Sequence, residues 1–600
     1  MGDKGTVRGD LTVNAKLNWQ IYKDLKLVGQ AIVRKEDGDE QAFYRKLNGY
    51  DWDNNNFWSY GDPNYAYRQY DKTLYKNFTL FAEYKKLFAK KHNVSVMGGA
   101  SHESSNFDKF YAARQNFNQQ EVFSLTLGSP ENQIATSEGN AWTINSYYGR
   151  LNYGFADRYL LEANFRFDGS SRFHPDCRWG FFPSFSAAWR LGEESFIKSL
   201  SVFDNLKLRA SYGEMGNQSG IGLYDYIQLL TISSASYPFG NGNKGQLAYS
   251  NGMVSATRSW ETIKTTNIGL DFSILDNRLN GSFDYYWKKN NNMLIPITYP
   301  SILGTHAPST NNGRLEVKGW ETSLCWRDRA GQVNYSVRLS ISDSKNCIVE
   351  KGGSDTFALG LNETRKGYPM NSYFGYAFDG IIQNEQELET YKKRFANGGI
   401  PGNLRVGDAK YKDLDGDGML SLYGNGKPGQ GDALYLGDQN PRYNFGFNFN
   451  IEYEGFDFGI FLQGVGKRTV FLEGDASRPF TNWWTEPLEY WYGKTWTPQR
   501  TDARFPAITL DAGRGTYNYY TSENTKFNAA YMRLKNIQLG YTLPATLTAK
   551  INLEKIRFYF SGEDVFEIHN VPGGYDPENG GYYSSYPFSR LFSFGINLVF

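Results

Sequence analysis

The sequence predicts an all-β fold, a transmembrane antiparallel β-barrel of about 17 strands with long extracellular loops and short periplasmic turns. Three observations predict it. Apolar and polar residues alternate with period two through runs of about 9–11 residues, the length a tilted strand needs to cross a bilayer. Connections are short at one end of the strand pairs and long at the other. The chain also finishes on such a strand. Phe592, Phe594, Ile596, Leu598 and Phe600 share one face, and Ser593, Gly595, Asn597 and Val599 share the other. A soluble protein rarely ends on a long, unpaired apolar strand, because an open edge templates aggregation.

In chain order, the first strand is expected near Val7–Asn18. Later, Ile268, Leu270, Phe272 and Ile274 alternate with Asn267, Gly269, Asp271 and Ser273. After the turn Asp276-Asn277 come Leu279, Gly281, Phe283, Tyr285 and Trp287. Val333, Tyr335, Val337, Leu339 and Ile341 repeat the pattern, as do Phe445, Phe447, Phe449, Ile451 and Tyr453. Glu454-Gly455 then turns into Phe456, Phe458, Ile460 and Leu462. Short turns fall at 21–23, 88–90, 156–157, 276–277, 329–331 and 454–455, with slightly longer ones at 193–203 and 544–554. Long Gly/Asn/Tyr-rich loops fall at 36–71, 107–141, 219–256, 294–314, 348–442, 471–529 and 566–589. Segments 222–234 and 372–382 read as loop structure, because counting either as a spanning strand breaks the alternation.

If Phe600 ends in the periplasm, an odd count makes the first strand run toward the periplasm as well. A complete bacterial barrel has an even number of strands and begins from the periplasm, so at least one earlier strand is expected upstream. The edge along Phe592–Phe600 is then expected to be open, or closed in parallel against Val7–Asn18.

Composition excludes several other readings. A net charge of +1 gives no footprint for nucleic acid. Mean hydropathy is −0.57, and no apolar run approaches a transmembrane helix, but alternating strands dilute hydropathy. Aromatics reach 17% (44 Tyr, 42 Phe, 14 Trp), which suits interfacial girdles or a sugar-binding surface. Cys177, Cys325 and Cys347 are odd in number and scattered, so neither a disulfide framework nor a zinc site is expected. Met1-Gly-Asp-Lys-Gly-Thr-Val lacks the regions of a signal peptide.

Two segments carry possible chemistry. Asp413-Leu-Asp415-Gly-Asp417-Gly418-Met419-Leu-Ser421 follows the first nine positions of an EF-hand-like loop. Asp413, Asp415 and Asp417 would converge on one Ca²⁺, Met419 would offer its carbonyl, and Ser421 would ligate directly or through water. Position 12 is Gly424, and Asp432, beyond a Gly-rich insert, is placed to reach back. The plainer alternative is an Asp/Gly turn that binds nothing. Tryptophans cluster in the loops: Trp52 and Trp58, then Trp483, Trp484, Trp491 and Trp496. Their indole faces suit sugar rings, and they equally suit a protein interface or an aromatic girdle. Trp260 and Trp287 lie at strand ends as girdle candidates.

A short helix is expected inside the longest loop, with Asn384 as cap, Glu387 three residues on, and Leu388, Tyr391 and Phe395 sharing a face. Gly240–Gly245 and Gly424–Gly429 fit G-x-G-x-x-G but follow no strand and open no helix. The five histidines form no paired spacing and G-x-S-x-G is absent, so an enzyme reading has no residues to carry it.

Several segments together resemble the SusC/RagA family of TonB-dependent outer-membrane transporters of Bacteroidetes. They are Arg158–Phe173 with its Asp168-Gly-Ser-Ser-Arg172 motif, Arg178–Arg190, Leu206–Gly213 with Gly216-Asn-Gln218, Asn312–Glu321, Tyr531–Tyr541 and Tyr586–Phe600. The resemblance implies a barrel of about 22 strands, an amino-terminal plug and a TonB box. This chain shows about 17 of those strands and none of the plug. It also implies a SusD-like surface lipoprotein acting as a lid, energisation by TonB-ExbB-ExbD through the amino-terminal region, a seat in outer-membrane lipid, and uptake of an oligosaccharide or a peptide. A passive porin or adhesin barrel is the first rival, and a soluble β-rich carbohydrate-binding protein the second.

Overall fold

The structure, a computed structural model, describes residues 2–234, 245–250, 252–295, 309–352, 359–362, 364–422, 431–481, 485–573, 575–579 and 588–600. The chain divides into two compact units. One comprises Met1–Ala187, Tyr212–Ile263 and Tyr299–Asn311, and the other Ala188–Ser211, Lys264–Thr298 and Asn312–Phe600. A 17-stranded antiparallel sheet accounts for most of the regular structure.

In the first unit, β1 (Gly2–Tyr22), β2 (Leu25–Tyr44), β3 (Tyr65–Phe88), β4 (His92–Gln115), β5 (Ile134–Phe155) and β6 (Tyr159–Ser170) pair in chain order, and β7 (Trp179–Trp189) follows. The register gives this wall two chemically distinct faces. One row across six strands reads Leu17, Gly29, Leu80, Ala100, Tyr147, Phe167. The adjacent row, one residue away on the opposite face, reads Lys16, Gln30, Thr79, Ser101, Ser146, Asp168. Because side chains alternate strictly across a strand, a one-residue slip would exchange the two faces entirely.

β8 (Phe203–Asn217) contributes residues to each unit. In the second unit come β9 (Glu261–Ile274), β10 (Leu279–Ile295), β11 (Thr310–Ala330), β12 (Val333–Glu350), β13 (Arg442–Tyr453), β14 (Phe456–Lys467), β15 (Tyr531–Thr542), β16 (Lys555–His569) and β17 (Leu591–Val599). The same split recurs there. Tyr335, Ile451, Phe458, Leu539, Phe560 and Phe594 form an apolar row, and Ser336, Asn450, Gly459, Gln538, Ser561 and Ser593 a polar one. Phe594 is 84% exposed, the terminal strand presenting its apolar side outward.

The short turns sit where the sequence places them. Ala89-Lys90, Ala156-Asp157 and Glu454-Gly455 each hold two consecutive positive φ values, the primed-turn geometry that matches the twist of paired strands. Segments 222–234 and 372–382 are outside the large sheet, as expected. Leu230–Ser234 pairs with Gln246–Ser250, and Ser372–Tyr376 pairs with Gly360–Asn362 and Ala433–Asp438.

Strand length differs from expectation. β3 and β4 run 24 residues each and β1 runs 21, so much of the loops expected at 36–71 and 107–141 is strand. The apolar alternation stops near Val33 and Leu74, but the hydrogen-bonded ladder continues, with polar side chains bonding diagonally across it, Arg68 to Asp39 and Tyr70 to Asp37. Hydrophobic periodicity marks only where one face of the sheet is apolar, and the backbone ladder has no reason to stop there.

The long loops of the second unit fold into cores of their own. Tyr376, Ile382, Leu388, Tyr391, Phe395, Tyr411 and Leu420 from 348–442 pack together with Tyr517 from 471–529. The helix Glu385–Arg394 is capped as expected: Asn384 Oδ1 accepts from the Glu387 amide at 2.9 Å, and Glu387 Oε2 accepts from the Gln383 amide at 2.6 Å. Leu388, Tyr391 and Phe395 are its buried face.

Candidate functional site

Three arrangements could meet a ligand: the polar face of the sheet, the acidic loop at 413–432, and the exposed loop aromatics. On the polar face of the second unit, Arg209 is gripped from two strands. Its Nε and Nη2 donate to Asp271 at 2.8 Å, and its Nη1 and Nη2 donate to Asp284 at 3.0 Å. Beside it, Asp284, Glu321, Ser323, Ser340, Asn444 and Gln463 line a recess of about 410 Å³. Near the turns, Arg557 donates to Asp457 at 2.8 and 2.5 Å, at the side of a second polar recess of about 550 Å³. Charges fixed in pairs, among hydroxyls and amides, make this face of the sheet hydrophilic.

The acidic loop is built by local backbone chemistry. Asp413 Oδ1 accepts from the Gly416 amide at 2.7 Å and its Oδ2 from the Gly418 amide at 3.0 Å, while Asp415 Oδ1 accepts from the Asp417 amide at 3.2 Å. Gly416 and Gly418 hold positive φ, a conformation that a residue with a Cβ rarely adopts. Asn397 donates from its side chain to the Asp417 carbonyl at 2.6 Å, tying the loop to the segment after the helix.

Asp432 does reach back. It is fully buried, Oδ1 accepting from the Leu414 amide at 2.6 Å and Oδ2 from the Ser421 amide at 2.9 Å. Carboxylate oxygens of Asp413, Asp415 and Asp432 lie within 4.8 Å of one another. Burial, with Asp415 and Asp413 adding to it, pushes the Asp432 carboxyl above its ordinary range, although both amides oppose the shift. Three converging carboxyls with one titration displaced upward form an arrangement that a hard cation would relieve.

Of the expected ligands Asp413, Asp415 and Asp417, the first two converge with Asp432, and Asp417 Oδ1 accepts from the Met419 amide at 2.7 Å. Among the described residues, Asp417 Oδ2 and Ser421 Oγ are buried without a hydrogen-bond partner, at the loop positions that the EF-hand pattern assigns to ligands. Gly424 falls outside the described residues.

The tryptophans divide sharply. Trp52 is fully exposed and Trp58 half-exposed, on the hairpin Leu47–Tyr50 and Asn56–Tyr60, where Tyr50, Phe57 and Tyr60 are also exposed. Trp491 is corrected from a ligand-facing residue to a core one. It is 3% exposed, with Phe505 at 4.8 Å and Tyr519 at 5.5 Å between ring centroids. Trp496 is likewise buried, its Nε1 donating to Gln383 at 3.0 Å. Trp483 and Trp484 lie outside the described residues. Trp260 is not a girdle residue, since it is buried against Phe173 and Phe182 and donates to the Arg178 carbonyl. Trp287 is 39% exposed, with Lys289 Nζ 4.1 Å from its ring centroid.

Sequence reasoning missed the cluster around Arg533, which is 1% exposed. It meets Glu567, Asp576 and Glu578, and Lys535 meets Asp564 and Glu578. This pins the segment 575–579 to β15 and β16. The acidic Tyr575-Asp-Pro-Glu578 run was the available signal, but its partners are more than 40 residues away in sequence.

The chain matches the family described as TonB dependent receptor-like, beta-barrel, over residues 2–556. It is 29% identical over 568 residues to TonB-dependent receptor P3 of Formosa agariphila, covering 90% of this chain and 53% of that protein. It is 28% identical over 570 residues to TonB-dependent receptor SusC of Bacteroides thetaiotaomicron, covering 90% of this chain and 52% of that one. The chain thus spans about half the length of the curated relatives it matches. Among solved structures, the RagAB peptide transporter superposes with a TM-score of 0.79 at 22% identity, over 100% of this chain and 62% of that one, a likeness of fold.

Proposed function

The chain belongs to the TonB-dependent receptor-like β-barrel family, and from that premise we propose that it forms the wall of an outer-membrane importer for an oligosaccharide. The observation that carries this is the register: across both units, apolar rows on one face back onto polar rows on the other. Such a wall places hydrocarbon on one side and a hydrophilic path on the other. Import is driven by TonB-ExbB-ExbD acting on the amino-terminal region of the whole protein, and a SusD-like lipoprotein closes over the loops. The exposed Trp52 and Trp58 hairpin supports capture of a sugar or contact with that lid. A peptide is the second reading, favoured by the fold shared with the RagAB peptide transporter.

Growth of a strain lacking the gene, on single oligosaccharides and on peptides as sole carbon source, tests this reading. A defect on one class that complementation restores supports import. Unimpaired growth on every substrate, with the protein extracted from membranes by carbonate, would sink it.

The acidic loop we assign to structural calcium, held by Asp413, Asp415 and Asp432, with Asp417, the Met419 carbonyl and Ser421 completing the set. Its role is to lock the loop, since bound charge replaces the mutual repulsion of three carboxyls. Asp415→Asn keeps an acceptor for the Asp417 amide but removes a charge. Thermal unfolding should show a calcium-dependent rise in the wild type and little or none in this variant; equal behaviour with calcium and with chelator refutes the assignment.

A further inference from the structure

The apolar face of the first unit carries a depression of about 710 Å³, within the roughly 300–1,000 Å³ typical of ligand pockets. Small residues create it. Ala15, Gly29, Ala31 and Ala100 form its floor, between Leu17, Phe78, Leu80 and Tyr147. The space is open: a Cβ on Gly29 would meet only Leu80 Cδ1, at 3.9 Å, and one on the neighbouring Gly98 would meet nothing within 4 Å.

A polar patch caps the depression on the side away from the turns. His102 and Asn145 stand in the register row Ala15, Ala31, Phe78, His102, Asn145, with His102 Nδ1 2.7 Å from Asn145 Oδ1. The Asn145 amide hydrogens remain to donate. The next row toward the loops reads Val13, Val33, Lys76, Ser104, Thr143. Lys76 has no ion pair or hydrogen bond among the described residues, whereas Lys35, one row further on, is taken by Asp37 at 2.6 Å. No carboxylate occupies these two rows of the face; Asp37 and Asp108 enter two rows beyond Lys76.

We propose that this depression seats an acyl chain of a phosphate-bearing lipid in the loop-side leaflet, with the head group held by Lys76, the Asn145 amide and the hydroxyls of Ser104 and Thr143. The occupant follows from two features. The floor is continuous with the apolar rows, so hydrocarbon fills it. The patch above offers a free cation and hydrogen donors without a competing acid, which selects an anion over a zwitterion. The site rests on the membrane placement proposed above, and heat-dependent gel mobility and membrane retention of each variant report that placement separately.

The test is native mass spectrometry of the detergent-extracted protein titrated with diphosphorylated lipid A or with phosphatidylcholine. Preferential retention of lipid A is expected, reduced at least about tenfold by Lys76→Ala, the order for a lost charged hydrogen bond. Gly29→Leu, which fills the floor and leaves every charge in place, should lower retention of lipid A as well. Equal retention of the two lipids overturns the proposal, as does retention unchanged in both variants. Displacement of the lipid by inorganic phosphate also overturns it, because the site would then be one for the free ion.

Discussion

Burial of the Trp491 indole against Phe505, Tyr519 and Tyr490 removes roughly 150–250 Å² of aromatic surface from water. Truncating it leaves a cavity that rigid ring neighbours cannot fill. Trp491→Ala should therefore cost about 3–5 kcal/mol of loop stability, read as accelerated limited proteolysis within 471–529. Trp58 stands half in solvent, and Trp58→Ala should change stability by no more than about 0.5 kcal/mol. Its expected effect is weaker capture of ligand or lid, measured by binding to the folded protein. If Trp58→Ala unfolds the hairpin instead, its exposed face is structural. The two residues look alike in sequence because both lie in aromatic loops. What separates them is whether residues such as Phe527 and Val571 arrive from elsewhere to cover the ring.

The helix Glu385–Arg394 was legible because its determinants are local: the cap is three residues from its amide, and the apolar face repeats at helical spacing. Its docking was not legible. Tyr391 meets the Tyr517 hydroxyl at 2.7 Å and accepts from the Tyr411 amide at 2.9 Å, partners far apart in the chain. Burial, above all, lifts the Tyr391 phenol from its ordinary 10.0 to about 12, although these hydrogen bonds oppose the rise. In the unfolded chain that phenol ionises near 10, so toward pH 12 the unfolded state sheds a proton that the folded state retains. The stability this contributes is intact below about pH 10 and is lost as pH rises toward 12. Loop unfolding followed by tyrosinate absorbance should thus begin only in alkali, and Asn384→Ala, which removes about 1 kcal/mol of capping, should bring it to lower pH. Gradual titration from pH 9 with no unfolding step would contradict the buried placement of Tyr391.

Across the whole molecule, sidedness makes neighbouring residues unequal. Phe449 belongs to an apolar row with Val337 and Ile460, and Asn448 to the polar face one residue away. Phe449→Arg should cost about 2–4 kcal/mol, the penalty for a cation against lipid at mid-depth, and Asn448→Arg far less. Denaturant unfolding in lipid vesicles measures both, and equal costs would refute the assignment of faces. The sequence by itself determined the strands' faces, the sites of the tight turns and the capped helix, because each depends on residues two to four positions apart. Strand length beyond the apolar band escaped it, since backbone hydrogen bonds carry β3 and β4 onward with no hydrophobic period to mark them. Only the tertiary structure decided which carboxylates converge beside Asp413, which tryptophans are covered, and how Arg533 gathers its acids. In each case the partner is fixed by long-range packing, where burial makes an unpaired charge or an uncovered ring costly, and spacing along the chain holds no record of that.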